Sequence, residues 1–120
     1  MKVLCVCERG NSRSVCMTWL LKDHYGVEAL ACGITAITAD TWRLLYSWAD
    51  KVILMHAPLR RHIPGGDPEL KMVVCDVGAD VYWEPPHADL TDQCRSFIES
   101  RLGLARGRFL GGKAPCGRTS

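Results

Sequence analysis

The chain has 120 residues, 48% of them apolar and 23% charged, with a formal net charge of +2. That length and apolar share suit one small domain able to bury its own core, no apolar run approaches the ~20 residues of a membrane helix, and a secretory leader is not expected after Lys2. The positive charge is local, because residues 103–120 hold four basic groups and no acid while residues 1–102 hold 11 basic against 13 acidic, so a basic nucleic-acid-binding domain is not indicated.

In chain order, residues 1–6 read as a buried strand and 14–25 as an amphipathic helix closed near Gly26. Residues 27–32 form a second predicted strand, ended by Gly33. Residues 38–50 are a predicted helix with Thr38 as N-cap and with Leu44, Leu45 and Trp48 recurring at helical spacing. Residues 51–55 (KVILM) are a third strand, 59–63 a short turn or helix, and Pro64–Pro68 a turn cluster. A fourth strand spans 71–75 and an irregular segment spans 76–87. The last helix runs over 88–102 with Leu90, Cys94, Phe97, Ile98 and Leu102 on one stripe.

Four apolar strands alternating with helical segments predict a single α/β domain, a four-stranded parallel sheet with helices on both faces. Ligands are expected at the carboxyl ends of the strands, where Cys7, Cys32, Met55 and Cys75 fall. The domain is expected over 1–102. The basic stretch 103–120 holds five of the 11 glycines, has no periodic pattern and reads as a disordered tail. Seven cysteines, odd in number and scattered through apolar segments, read as reduced thiols of a cytoplasmic protein rather than a disulfide framework.

The chemistry concentrates in Cys7-Glu8-Arg9-Gly10-Asn11-Ser12-Arg13-Ser14, which follows the first strand and opens the first helix. Strand, small-residue loop and helix N-terminus make an anion cradle, because backbone N–H groups and the positive end of the helix dipole converge there. A cysteine at its mouth has its thiolate stabilised. An arginine at its far end can grip two phosphate oxygens in a fork. Cys7 and Arg13 are therefore the candidate nucleophile and phosphate clamp, with Glu8, Arg9, Gly10, Asn11, Ser12 and Ser14 lining the loop. Cys5 and Cys7 also have the spacing of a ligand pair, but strand alternation accounts for it and no metal or cofactor is expected. Residues 107–113 nearly match a nucleotide-binding loop, yet Ala114 stands where the motif needs Ser or Thr and no strand precedes it.

Residues 1–102 resemble the low-molecular-weight protein tyrosine phosphatase family, on the Cys-x5-Arg-Ser loop after the first strand and on further similar stretches. These are Trp48–Met55, Met72–Asp76 and Gln93–Phe97. The resemblance implies that Cys7 forms a phosphocysteine, Arg13 binds the phosphoryl oxygens, Ser14 steadies the thiolate, and Asn11 holds a strained turn. It also implies that Asp76 protonates the leaving oxygen and then activates water, with Asp80 and Glu84 as alternative acids. Tyr82 and Trp83 read as packing residues or an aromatic wall. The Gly10-Asn11 pair stands one position later than that family usually has it, and Ser12 replaces its second loop cysteine.

The expected activity is hydrolysis of phosphomonoesters, with a phosphotyrosine-containing protein or a small phosphomonoester as substrate. Two other readings remain open. One is a thiol oxidoreductase of the arsenate reductase type, resolved through Cys32, Cys75 or Cys94. The other is a catalytically weak phosphate- or phosphoprotein-binding module.

Overall fold

A computed structural model of the chain describes residues 1–9, 13–78 and 88–104. The apolar run after Lys2 forms β1 (Lys2–Cys7), whose residues from Val3 to Cys7 are fully buried. Its side chains alternate between two cores. Val3, Cys5 and Cys7 face one, and Leu4 and Val6 face the other. Burying an aliphatic side chain of this size contributes about 1.5–3 kcal/mol, so β1 is the strand the domain can least lose.

The remaining strands are β2 (Glu28–Gly33), β3 (Lys51–Leu54) and β4 (Met72–Val74), and the sheet order is β2-β1-β3-β4 with every pair parallel. The register aligns Cys7 with Gly33, Val6 with Leu54, and Leu54 with Val74, so the carboxyl ends share one edge of the sheet. The chain leaves β1 between neighbours reached by connections in opposite directions. That is the switch point at which such sheets open a crevice.

Helices cover both faces. Helix α1 (Arg13–Tyr25) and helix α3 (Ala88–Arg101) lie on one, where Cys16, Met17, Leu20 and Leu21 meet Leu90, Cys94, Phe97 and Ile98 over β1 and β3. Polar contacts tie the two helices together: Tyr25 donates to Glu99 at 2.7 Å, and Arg95 meets the His24 ring nitrogen at 3.2 Å. Helix α2 (Ala39–Trp48) and a short 3-10 helix (Ala57–His62) cover the other face with Trp42, Tyr46, Ala49, Leu59 and Ile63. Thr38 caps α2 by accepting from the Thr41 N–H at 3.2 Å, as its sequence position predicts.

The elements begin and end within two residues of their predicted bounds. The buried stripe of α2 differs from the expected one. Trp42 and Tyr46 face the core while Leu44 is 73% exposed and Leu45 and Trp48 are half-buried. Trp42 and Tyr46 are four residues apart and share a face, whereas Leu44 points to nearly the opposite side of the helix. The Trp42 and Tyr46 rings pack into the core on that face, and Leu44 is left to solvent. Beyond α3, Gly103 adopts φ +68°, the Leu104 N–H returns to the Ile98 carbonyl, and Leu104 packs on the core. Packing thus extends two residues into the stretch expected to be tail, and residues 105–120 lie outside the described residues.

The turn into β4 is organised by Asp67. Its carboxylate accepts from the Tyr46 hydroxyl, from the Lys71 N–H at 2.8 Å and from the Met72 N–H at 3.0 Å. This clamp holds Leu70 at φ +52°, a left-handed conformation that costs a non-glycine residue about 1–2 kcal/mol. Burial alone would raise the Asp67 pKa. The hydrogen bonds from Tyr46, Met72 and Lys71 outweigh it and hold the carboxyl below its ordinary value. A depressed folded-state pKa gives stability that is present above the unfolded value and is lost as pH falls through the folded one. Asp67→Asn should therefore cost about 1–3 kcal/mol at neutral pH. Denaturant titrations should show the gap from wild type closing as pH drops through and below the ordinary carboxylate value of 3.8.

Candidate active site

Cys7 is the last residue of β1 and Arg13 the first of α1. Two backbone constraints fix how the chain leaves the strand. The Cys7 carbonyl accepts from the Ile34 N–H at 3.0 Å, and the Glu8 carbonyl accepts from both the N–H (3.1 Å) and the hydroxyl (2.7 Å) of Thr35. The loop start is thereby stitched to the turn after β2. The stitch requires Gly33, because a Cβ there would sit 2.1 Å from the Arg9 carbonyl carbon and 2.3 Å from its oxygen. Backbone atoms cannot rotate away from such a clash.

At the other end of the loop, the Ser14 hydroxyl lies 3.0 Å from the Cys7 sulfur, and both residues are fully buried. A hydroxyl at that distance can donate to a thiolate. Arg13 is only 1% exposed and donates from Nη1 to the Gly78 carbonyl at 2.7 Å. A buried guanidinium beside a helix N-terminus whose first turn holds no acid concentrates positive charge there. Lys22 and His24 complement the opposite end of α1.

Asp76 stands two residues past the end of β4. Its carboxylate accepts from the Gly78 N–H at 2.9 Å and the Ala57 N–H at 3.1 Å, and His56 stands 4.0 Å away. Gly78 therefore links the two charged groups: its N–H serves Asp76 and its carbonyl serves Arg13. Burial would raise the Asp76 pKa, but the Gly78 and Ala57 hydrogen bonds, followed by the charges of His56 and Arg13, outweigh it and lower the pKa. Cys5 stands two residues from Cys7 on the same sheet face, inside the core. Burial pushes both Cys5 and Cys32 up to about 12, and charge on Cys7 pushes each further in that direction. These two thiols stay protonated beside the candidate nucleophile.

Of the residues expected at the site, Cys7, Arg13 and Ser14 come together at one helix N-terminus, and Asp76 joins them through Gly78. Glu8 and Arg9 are exposed at the start of the loop. Gly10, Asn11 and Ser12 lie outside the described residues, as do Asp80, Tyr82, Trp83 and Glu84. Sequence reasoning missed Gly33 and Thr35 as anchors of the loop, His56 and Ala57 as holders of Asp76, and Gly78 as the link. Gly33 alone carried a signal, because a glycine ending a strand beside the loop-bearing strand marks a close backbone approach. Among the described residues no helix is long and apolar enough to cross a membrane, and no cluster of side chains has the composition of a metal site.

Compared with known proteins, the chain matches no family model, no curated protein and no solved structure.

Gly33→Ala forces the Arg9 main chain off its path. The variant should lose about 1–3 kcal/mol of stability by overpacking, read by urea denaturation. Ala31→Gly, one strand position pair away, should leave the Cys7–Ser14 contact intact.

Proposed function

We propose that this protein is a cysteine-dependent phosphomonoester hydrolase of the low-molecular-weight phosphatase type, acting on phosphotyrosine in proteins. The observation that carries the reading is the 3.0 Å approach of Ser14 Oγ to Cys7 Sγ at the helix N-terminus that Arg13 opens. A hydroxyl at that distance can donate to the sulfur, both when it attacks and again when it leaves.

In this mechanism a phosphate dianion enters the cradle with two oxygens on the Arg13 fork. Cys7 sulfur attacks phosphorus in line as the ester oxygen departs. The S–P bond forms, the P–O bond breaks, and the leaving oxygen takes a proton from Asp76. Water then attacks the phosphocysteine, giving its proton to the Asp76 carboxylate, and Cys7 leaves as the thiolate with the Ser14 hydroxyl hydrogen-bonded to it. Arg13, the loop amides and the helix dipole supply the charge stabilisation.

The lowered Asp76 pKa bears on the first step, because an ionised carboxylate has no proton to give. A bound dianion changes that balance in two ways. It engages Arg13, whose charge helps to hold Asp76 ionised, and it adds negative charge beside the carboxylate. Both push the Asp76 pKa up when substrate is present. The same lowered pKa favours a second reading, a phosphate-binding module with little turnover, if the shift on binding is too small.

Hydrolysis of p-nitrophenyl phosphate and of a phosphotyrosine peptide separates the two. The expected result is turnover that resists EDTA, is inhibited by vanadate and is abolished in Cys7→Ser. Phosphate binding without turnover would establish the binding module, and full activity in Cys7→Ser would overturn both the nucleophile and the reading. Ser14→Ala should reduce kcat roughly ten- to hundredfold, the worth of one hydrogen bond to a charged group. Asp76→Asn should remove the fall of kcat on the alkaline side of its pH profile, along with most of the rate.

A further inference from the structure

The acid and the phosphate-binding cation of the proposed site come from distant parts of the chain, and one residue stands between them. Residues 75–77 continue past β4 along the end of β3. The Cys75 N–H donates to the Leu54 carbonyl at 2.9 Å and the Val77 N–H to the Met55 carbonyl at 3.1 Å, with Val77 buried in the core that α1 and α3 cover. The Ala57 N–H holds the Asp76 carboxylate at 3.1 Å. These bonds fix where Asp76 stands, but they do not reach Arg13. One further residue does, because the Gly78 N–H turns back to Asp76 Oδ1 at 2.9 Å while the Gly78 carbonyl accepts from Arg13 Nη1 at 2.7 Å.

Gly78 makes both bonds from a left-handed conformation, at φ +83°. The angle φ sets where a residue's carbonyl lies relative to its N–H. Were it to turn negative with the N–H still on Asp76, the carbonyl would swing away from the guanidinium. Glycine adopts the left-handed region readily, whereas alanine is disfavoured there by roughly five- to thirtyfold. Space is not the reason for glycine, since a Cβ at position 78 would meet none of the described residues within 4 Å. Gly33 is the contrast, because a Cβ there would strike the Arg9 main chain. What position 78 requires is a backbone angle, and that angle brings two charged side chains to one residue.

We propose that Gly78 is a positioning residue that couples the two halves of the site, so that the phosphate-binding guanidinium and the general acid are held, and loosened, together. Resting on the roles given above to Arg13 and Asp76, this coupling works in both directions. The Gly78 carbonyl fixes the plane of the guanidinium, and a fork already oriented loses less freedom when it takes two phosphoryl oxygens. The Gly78 N–H keeps the Asp76 carboxylate in place and favours its ionised form. Phosphate that engages Arg13 therefore acts on Asp76 across Gly78, and the hold of Gly78 on Asp76 prepares Arg13 for phosphate. Such linkage is reciprocal by thermodynamic necessity.

The test compares the full chain carrying Gly78→Ala, Gly78→Asn or Gly65→Ala with the wild type. Two NMR titrations are read: binding of inorganic phosphate and, without phosphate, the Asp76 carboxyl against pH. Gly65 is the control, because it too is left-handed, at φ +78°, with no described residue within 4 Å of its Cβ position, but it lies in the turn before β4. Gly78→Ala should weaken phosphate binding about five- to thirtyfold and raise the pH at which Asp76 titrates. Gly78→Asn should recover much of both, since asparagine tolerates the left-handed region, and Gly65→Ala should change neither. If urea denaturation shows that Gly78→Ala does not fold, Gly78→Asn decides, with a smaller loss of the same two properties. Both properties unchanged at position 78, a change in one without the other, an Asn variant no better than the Ala variant, or an equal loss in Gly65→Ala would overturn the coupling. Neither readout is hydrolysis. A wild type that binds phosphate and responds at position 78 as described, yet turns over no ester, would leave the coupling standing and remove the hydrolase reading. A wild type that binds no phosphate would overturn both.

Discussion

A single close approach governs the geometry of this molecule: the main chain at Arg9 passes where a side chain at position 33 would stand. The central strand has no freedom to shift, since both its faces are buried and both its edges are paired. The loop after it must therefore leave over the neighbouring strand, and it can do so only across a glycine. Once there, the Cys7 and Glu8 carbonyls find donors in Ile34 and Thr35. At the start of α1, the Ser14 hydroxyl faces back onto the Cys7 sulfur. A packing constraint between two strands thus becomes the placement of a reactive group.

Charge at the site is arranged through backbone as much as through side chains. Arg13 is buried and would be costly to hold there alone. Its charge is met by the Gly78 carbonyl and by the Asp76 carboxylate that the Gly78 N–H holds in place. Two residues 63 positions apart in the chain are joined by one peptide unit on each side of a glycine. On the opposite face, Asp67 performs a purely structural version of the same task, using two backbone N–H groups and a tyrosine hydroxyl to hold a strained turn.

The thiols show how environment separates groups of identical chemistry. Cys5 and Cys32 are driven up by burial, Cys94 by its thiol neighbours Cys16 and Cys75 and then by burial, while Cys75 is drawn down by Cys94. Composition marks all of them alike as reduced cysteines in apolar segments. Only their neighbours distinguish an inert core sulfur from one that, like Cys75, lines a groove beside α3.

The order of elements, the parallel sheet covered on both faces and the meeting of Cys7 with a helix N-terminus were legible in the sequence. Each rests on local periodicity or on spacing within a few residues: alternation along β1, the Thr38 cap, the stripe of α3. What tertiary structure alone decided are the contacts between residues far apart in the chain. Gly33 against Arg9, Gly78 against Arg13, and Trp42 with Tyr46 displacing Leu44 from the core are all of this kind. Hydrophobic pattern says which residues seek the interior, but the helix face that meets the sheet chooses among them. Likewise, a loop motif names the groups that can bind an anion, and the strand beside it determines whether they converge.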